Sequence, residues 1–348
     1  GFLPTNHGFD NYFGLPYSND MGRQANTPDW AVYPPLPLLN DEEVIEQQPD
    51  QSLLTERYVQ EAIDFIRTDS PKPFFLYLAH MYVHLPIYVK QEFLDKSENG
   101  SYGAAVESID WATSVIMNEL QSLGLDENTI VIFTSDNGSL GNILPPFGGR
   151  QELIGGSNLP LRGAKGTTWE GGQRVPAIVR WKGKVEAGRV CDELLTAMDF
   201  YPTLANICGA QVPQDRIIDG KDARAVWFDA QAKSEHEHFV YYRANGLEAI
   251  RNRQYKLHFG KGKENVYELY NIVDDVSETT NVYDQFPEVV ASLTEAANHY
   301  RHTLGDDRTG STGTQVRPIG RVENPQPLTR FDPSHPYVIA EYDLPDRG

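Results

Sequence analysis

Four places in this chain hold side chains whose type and spacing could do chemistry. In "TIVIFTSDNGS" an apolar run ends on Asp136 and Asn137. Asp-Asn-Gly after an apolar strand is a hairpin signal. The same residues also form a pair of oxygen donors at the carboxyl end of a strand, suited to a hard cation. A hairpin needs an alternating strand immediately after its turn. The chain instead continues into the long "SLGNILPPFGGRQELIGGSN", and that length favours a site over a turn. His80 and His84 are spaced i and i+4, as on a zinc-binding helix, but a zinc-protease helix wants Glu at position 81, which is Met81. Pro86 and the apolar run before the pair also argue against a helix. Taken alone, either histidine reads as a hydrogen-bonded structural group. "LRGAKGTTWEGGQRVP" sets Arg162, Lys165 and Arg174 among glycines. Glycines let backbone approach a ligand closely, and a lysine there suits an oxyanion. The competing reading is a glycine-rich surface loop with solvated cations. It is not a P-loop, because Gly166 follows Lys165. "EHEH" at 235–238 reads as solvated loop.

These residues need a scaffold. The first forty residues are rich in Gly, Pro, Asn and Tyr and read as surface loops. "SLLTERYVQEAIDFIRTD" predicts a helix with Leu54, Tyr58, Ala62 and Phe65 inward. "PFFLYLAH", "TIVIFTS" and "PAIVRW" predict buried strands. Between the first two lies a helix whose expected stripe is Val106, Ile109, Ala112, Ile116, Leu120 and Leu123. "MDFYPTLANICGA" predicts a helix preceded by an acid and stopped near Gly209. This alternation implies an α/β domain on a mostly parallel or mixed sheet flanked by helices. After Trp227 the texture changes to short antiparallel strands with exposed faces, then one amphipathic helix, "FPEVVASLTEAANHYRHTL". The expected divisions are 1–226 for the α/β part, 227–304 for a small α+β part and 305–348 for an extended tail.

The chain has 348 residues, 40% hydrophobic and 23% charged, as in an ordinary globular protein. A net charge of -19 argues against a nucleic-acid partner. It leaves room for a small anionic substrate held by a local cationic cluster. No apolar stretch approaches the ~20 residues of a membrane span. Cys191 and Cys208 lack metal-site spacing and read as buried thiols; sequence does not tell whether they are bonded. The opening "GFLPTNHGFDNYFG" carries neither an initiator Met nor a signal segment, so the expectation is a piece of a longer protein.

Six motifs occur in an order that resembles the sulfatase family, the formylglycine-dependent members of the alkaline phosphatase superfamily. They are "HGFDNYFGLPYSNDMG", "PFFLYLAHMYVHLP", "VIFTSDNG", "LRGAKGTTWEGGQRVPAIVRW", "MDFYPTLANICGA" and "YELYNIVDDVSETTNV". The likeness is greatest to the arylsulfatase A and N-acetylgalactosamine-6-sulfatase branch. It implies an alkaline phosphatase-like fold, calcium (Ca2+) held by Asp136 and Asn137, and catalytic, substrate-binding roles for His84 and Lys165. His84 in "VHLP" matches the histidine that protonates the leaving oxygen. Lys165 in "GAKGTT" matches the lysine on the sulfate. Glu170 and Arg174 are expected to brace the glycine loop, and His80 stays structural.

The chain departs from the family pattern in one large respect. The C/S-x-P/A-S-R motif that matures to formylglycine is absent, as are the early Asp-Asp metal pair and the G-K-W-H-type loop. The expectation is that the chain starts downstream of all three, in a secreted or periplasmic sulfatase. Its partner would be a sulfated glycan or small molecule, and the piece alone would be inactive. A phosphomonoesterase or phosphonate hydrolase of the superfamily, or a non-catalytic binder of sulfated glycans, remains the alternative. Oligomeric state is not readable.

Overall fold

The computed structural model describes residues 1–22, 33–68, 72–141 and 155–332. Most of the long segment after Asn137 and the end of the tail, 333–348, lie outside these residues. The described residues fall into two units. The first lies within Gly1–Leu125, Leu144–Gly156 and Ile319–Gly348, the second within Asp126–Ile143 and Ser157–Pro318.

The first unit is built on strands that the loop-like N-terminal text concealed. β1 (Phe13–Gly14), β2 (Pro37–Asn40) and β3 (Glu43–Gln47) form an antiparallel sheet. Asp41, at φ 52°, turns the chain between β2 and β3. Leu36, Leu38 and Leu39 are fully buried. The prolines around them masked a strand because propensity is only a weak guide beside tertiary burial. α1 (Leu54–Arg67) buries Leu54, Tyr58, Val59, Ala62, Ile63 and Ile66. Leu54 and Tyr58 join Leu15, Leu36, Leu38, Tyr82 and Tyr88 in one core cluster. After the single turn of α2 (Gln91–Leu94), α3 (Gly100–Ser122) packs against α1 through Ala112 beside Val59 and Ile63. Its buried residues are Ala104, Ala105, Ser108, Ala112 and Leu120, whereas Val106 and Leu123 are exposed. The stripe is rotated from the expected one because small residues let the two helices approach closely.

"PFFLYLAH" takes no place in a ladder among the described residues, and Phe75 and Tyr77 are 61% and 72% exposed.

The second unit holds two antiparallel sheets. β4 (Val131–Thr134) pairs with β5 (Ala177–Arg180), with Val131 opposite Arg180 and Thr134 opposite Ala177. The two expected buried strands are thus partners, but Phe133 and Ile178 are exposed, since a lone two-stranded ribbon covers neither of its faces. α4 (Glu170–Gln173) lies between them in sequence, and α5 (Phe200–Ile207) and α6 (Arg224–Phe228) come after. Gly209 takes φ 73° just beyond α5, as its glycine stop requires. β6 (Phe239–Arg243), β7 (Gly246–Arg251), β8 (Tyr255–Lys261) and β9 (Glu264–Asn271) make an antiparallel meander. α7 (Pro287–Leu304) begins with proline in its first turn, where the missing N–H costs nothing. It sets Leu293 and Ala297 onto Leu247, Ile250, Leu257 and Leu269. Each such Leu or Ile contributes roughly 1.5–3 kcal/mol by leaving water.

At the start of the segment expected to be an extended tail, Asp306 is buried and accepts hydrogen bonds from the Leu247 amide (3.0 Å) and from Arg301 (3.0 Å). Cys191 and Cys208 are free and exposed rather than buried. No helix among the described residues is long and apolar enough to cross a membrane.

Candidate active site

Asp136, Asn137 and Lys165 belong to the second unit, and the backbone joins their segments. β4 ends at Thr134, and Ser135 closes the bend after it by donating its hydroxyl to the Asn137 carbonyl (2.9 Å). The Gly138 amide then donates to the Gly172 carbonyl (3.1 Å), and the Lys165 amide donates to the Ser139 carbonyl (3.0 Å). Asn158 brackets the junction. It accepts from the Ser139 amide (2.9 Å) and donates to the carbonyls of Ser139 (3.0 Å) and Gly163 (3.2 Å). The segment after Asn137 is therefore not a two-residue hairpin.

The glycines make this junction possible. A Cβ on Gly138 would lie 1.8 Å from the Gly171 carbonyl oxygen, and one on Gly172 would lie 2.3 Å from the Thr167 carbonyl oxygen. Only bare backbone fits. The turn carrying Lys165 is closed at its far side by Thr167, whose hydroxyl donates to the Ala164 carbonyl (2.7 Å).

The charges at the site are of two kinds. Asp136 is exposed, and its carboxylate has no hydrogen-bond or ion-pair partner among the described residues. The Lys165 side chain is half-buried and likewise has no counter-ion among them. Asn137 donates from Nδ2 to the Gly138 carbonyl (3.0 Å), which leaves its Oδ1 without a donor there. Glu170, by contrast, is buried and fully engaged. It accepts from the Tyr241 hydroxyl (2.7 Å), Lys256 Nζ (2.9 Å) and Arg251 (3.2 Å). Burial would raise its pKa, but Lys256 and Arg251 outweigh that and hold the carboxyl down to about 2. The bracing expected of Glu170 has a geometric basis. Arg174 has none: its guanidinium is exposed, with no side-chain bond among the described residues.

His84 belongs to the first unit. Its Nδ1 lies 2.6 Å from the Leu85 carbonyl, which can only accept, so Nδ1 carries the hydrogen and Nε2 is left for other work. His80 is also there. Its Nδ1 is buried with no partner among the described residues, and burial pushes its pKa down to about 4.

Several groups escaped sequence reasoning. Lys256 and His258 alternate with Leu257 on β8, so a period-two reading turns both toward solvent. Both are fully buried, because β8 is covered on both faces. His236, in the stretch read as solvated, is buried and pairs with Asp199 at 2.7 Å. The alternation of "EHEH" was the available signal: Glu235 and Glu237 are exposed, His236 is not. Among the described residues no group of three or more His, Cys, Asp or Glu could hold a metal ion.

Residues 2–210 match the family model for Sulfatase, and residues 164–303 match that for "N-sulphoglucosamine sulphohydrolase, C-terminal". The chain belongs to the sulfatase family. It is 38% identical to N-acetylgalactosamine-6-sulfatase of Mus musculus over 263 residues, 74% of this chain and 49% of that protein. It is 41% identical to steryl-sulfatase of Rattus norvegicus over 213 residues, 61% of this chain and 36% of that protein. The chain spans about half the length, or less, of these curated relatives. Among solved structures, the PsFucS1 sulfatase of Pseudoalteromonas sp. superposes with a TM-score of 0.74 at 25% identity, covering 86% of this chain and 67% of that one. Ps i-CgsB, solved in complex with k-i-k-neocarrahexaose, gives a TM-score of 0.69 at 25% identity, covering 90% and 70%. The fold is accordingly the alkaline phosphatase-like α/β fold of sulfatases, although the strands described here pair antiparallel.

Proposed function

We propose that this chain carries the leaving-group half of a sulfuric ester hydrolase, with a sulfated carbohydrate as the favoured substrate and an aryl sulfate as the simpler one. The observation that carries this reading is the Lys165 ammonium, without a counter-ion among the described residues and held on a turn tied to the Asp136–Ser139 segment, while Glu170 is neutralised elsewhere. A fixed cation in a partly dry setting stabilises charge that develops on a departing oxygen, because it needs no reorganisation at the moment of reaction. Lys165 would hold the sulfate through its peripheral and bridging oxygens. His84, with Nδ1 pinned on the Leu85 carbonyl, would deliver a proton from Nε2 to the leaving alcohol.

Asp136 and Asn137 fit a calcium ion in donor type, both offering hard oxygens without competing donors among the described residues. They are two ligands where calcium takes roughly six to eight, so tight binding to these residues alone is not expected. Bound calcium would supply positive charge to the sulfate oxygens, and a formylglycine outside this sequence would supply the attacking oxygen. Glycan preference is supported by the names of one relative, N-acetylgalactosamine-6-sulfatase, and one similar structure, solved with k-i-k-neocarrahexaose. A secreted or periplasmic setting accords with such substrates.

The test joins residues 1–348 to the upstream segment encoded with them, in a host that matures formylglycine. Hydrolysis of a sulfated-glycan panel is expected, with Lys165→Ala lowering kcat by roughly a hundredfold or more, as for other lost oxyanion donors. Residues 1–348 alone should give no turnover of a chromogenic aryl sulfate. Preferential cleavage of phosphate esters would put the protein with the phosphomonoesterases. Binding without turnover by the joined protein would make it a glycan-binding member.

A further inference from the structure

Three consecutive residues just beyond the Lys165 turn are gripped by buried groups of the four-stranded sheet and the segment after it. Thr168 donates to Glu248 (2.8 Å), which also accepts from the Gly262 amide (2.6 Å). The Trp169 ring meets two cations, Arg162 at 3.8 Å and Lys261 at 3.7 Å from its centroid, and the His258 ring at 4.6 Å. The Glu170 side chain meets Tyr241, Lys256 and Arg251, while its amide donates to Glu278 (2.8 Å). Glu278 is itself fully buried and holds Lys256 (3.1 Å) and His258 (3.1 Å). Its own carbonyl accepts from Arg162 (2.7 Å), on the other side of the Lys165 turn.

Two features show that this cluster does more than fill space. It buries three carboxylates, Glu170, Glu248 and Glu278, with Lys256 bridging Glu170 and Glu278 and Arg251 on Glu170, while burial keeps His258 toward its neutral form despite Glu278. Buried ion pairs are weak contributors to net stability because desolvation offsets their attraction. Glu278 also sits at φ 51°, a left-handed conformation uncommon for a residue with a side chain. Such backbone persists where the surroundings over-determine it, and it gathers around functional sites.

We propose that Glu170, Lys256 and Glu278 form a positioning clamp that fixes the Lys165 turn on the C-terminal sheet and presents the Lys165 ammonium uncompensated to an anionic ester. The clamp rests on the functional reading only in taking Lys165 as the sulfate ligand. It acts twice. It immobilises both flanks of the turn, through Arg162 and Glu170. It also neutralises the buried carboxylate of the loop, Glu170, five residues from Lys165.

The test uses Lys256→Met, Lys256→Arg and the milder Tyr241→Phe, each with two readouts. Hydrogen exchange in the 348-residue chain reports the turn itself. In Lys256→Met, amides of 163–172 should exchange at least about tenfold faster while those of α7 stay protected, as expected for a local opening. Turnover in the joined enzyme reports Lys165. Lys256→Met should lower kcat by about tenfold or more per folded molecule, Lys256→Arg should recover most of it, and Tyr241→Phe should fall between. Unchanged exchange across 163–172 in folded Lys256→Met, or in Tyr241→Phe should Lys256→Met not fold, would overturn the clamp. So would a loss of activity that merely tracks the unfolded fraction and is not recovered by arginine. A wild-type joined enzyme without sulfatase activity would sink the functional reading, while exchange would still decide the clamp.

Discussion

The Lys165 turn and the His84 segment are held by opposite means. Around Lys165 the sheet contributes cations and a phenol that meet the buried carboxylates of Glu170 in the loop and Glu278 beyond β9 at 2.7–3.2 Å. Around His84 the hold is local: the His84 amide donates to the Met81 carbonyl (2.9 Å), and Nδ1 meets the next carbonyl along the chain. The packing beneath it is aromatic, with Tyr82 and Tyr88 edge to face at 5.7 Å. A cation that must stay charged and unpaired needs its neighbours neutralised by other groups. A histidine that must gain and lose a proton needs only a fixed ring and a soft setting.

The largest expected effect breaks the first region. Lys256→Met leaves buried Glu170 with Arg251 and buried Glu278 with only His258 against its carboxylate among the described residues, which should cost about 3–5 kcal/mol of stability. Urea unfolding of the second unit, followed through its tryptophans, measures it. A change under ~1 kcal/mol would mean that the two carboxylates are not both ionised in the wild type.

Acid should separate the two regions by window. The Glu170 carboxyl is held down to about 2 in the fold, against roughly 4.3 when unfolded. Its stabilisation is complete above the unfolded value and is lost as pH falls toward 2, an effect on the order of 3 kcal/mol. His80 has its pKa lowered to about 4, against roughly 6.5 unfolded. Below the unfolded value only the unfolded chain takes the proton, so the first unit weakens between about pH 6.5 and 4. His258, lowered by burial on β8, weakens the second unit in the same sense, and Glu170 adds its own loss below that. Hydrogen exchange, corrected for intrinsic rates, should show amides of α1 levelling off by about pH 4 while those of β8 go on losing protection toward pH 2. Protection of β8 that levels off together with α1 would refute the difference.

Legibility tracked the same divide. Elements that bury one face were readable: α1, α5 and α7 fall on their predicted segments, and Asp136 and Asn137 at a strand end and Lys165 among glycines stood out as candidates by residue type and place. What failed was burial on two faces. β2 looked like loop because Pro35 and Pro37 hid three fully buried leucines. Lys256 and His258 sat on a strand expected to have an exposed face, and nothing in a single strand tells which charges will find partners from distant segments. Conversely, Phe75, Tyr77 and Ile178 read as core and are exposed here, since an apolar run fixes a demand for burial but not what meets it.

A smaller effect tests the junction at Asp136. In Gly138→Ala the new Cβ would meet the Gly171 carbonyl oxygen at 1.8 Å, so the backbone must part. Overpacking of this kind costs about 1–3 kcal/mol. Amides 163–172 should lose protection together with the Lys165–Ser139 bond, whereas Gly166→Ala, with open space at its Cβ, should strain only its own φ of +82°. Equal stability of Gly138→Ala and wild type would show that the two segments are not in register as described.

The smallest effect sharpens the soft region. Among the described residues His80 carries a buried, unpartnered Nδ1 and makes no bond that its replacement would orphan. Replacing an unsatisfied polar group by an apolar one of similar shape is near neutral or slightly stabilising, so His80→Phe should change stability at pH 7.5 by no more than ~1 kcal/mol. The acid window of the first unit between about pH 6.5 and 4 should then disappear, because the group that titrates there is gone. Turnover by the joined enzyme at neutral pH should be unaffected, since the proton in the proposed chemistry travels on His84. If His80→Phe removed activity while leaving α1 protected, the two histidines would share the proton, and the His84 ring would no longer be the only one in play.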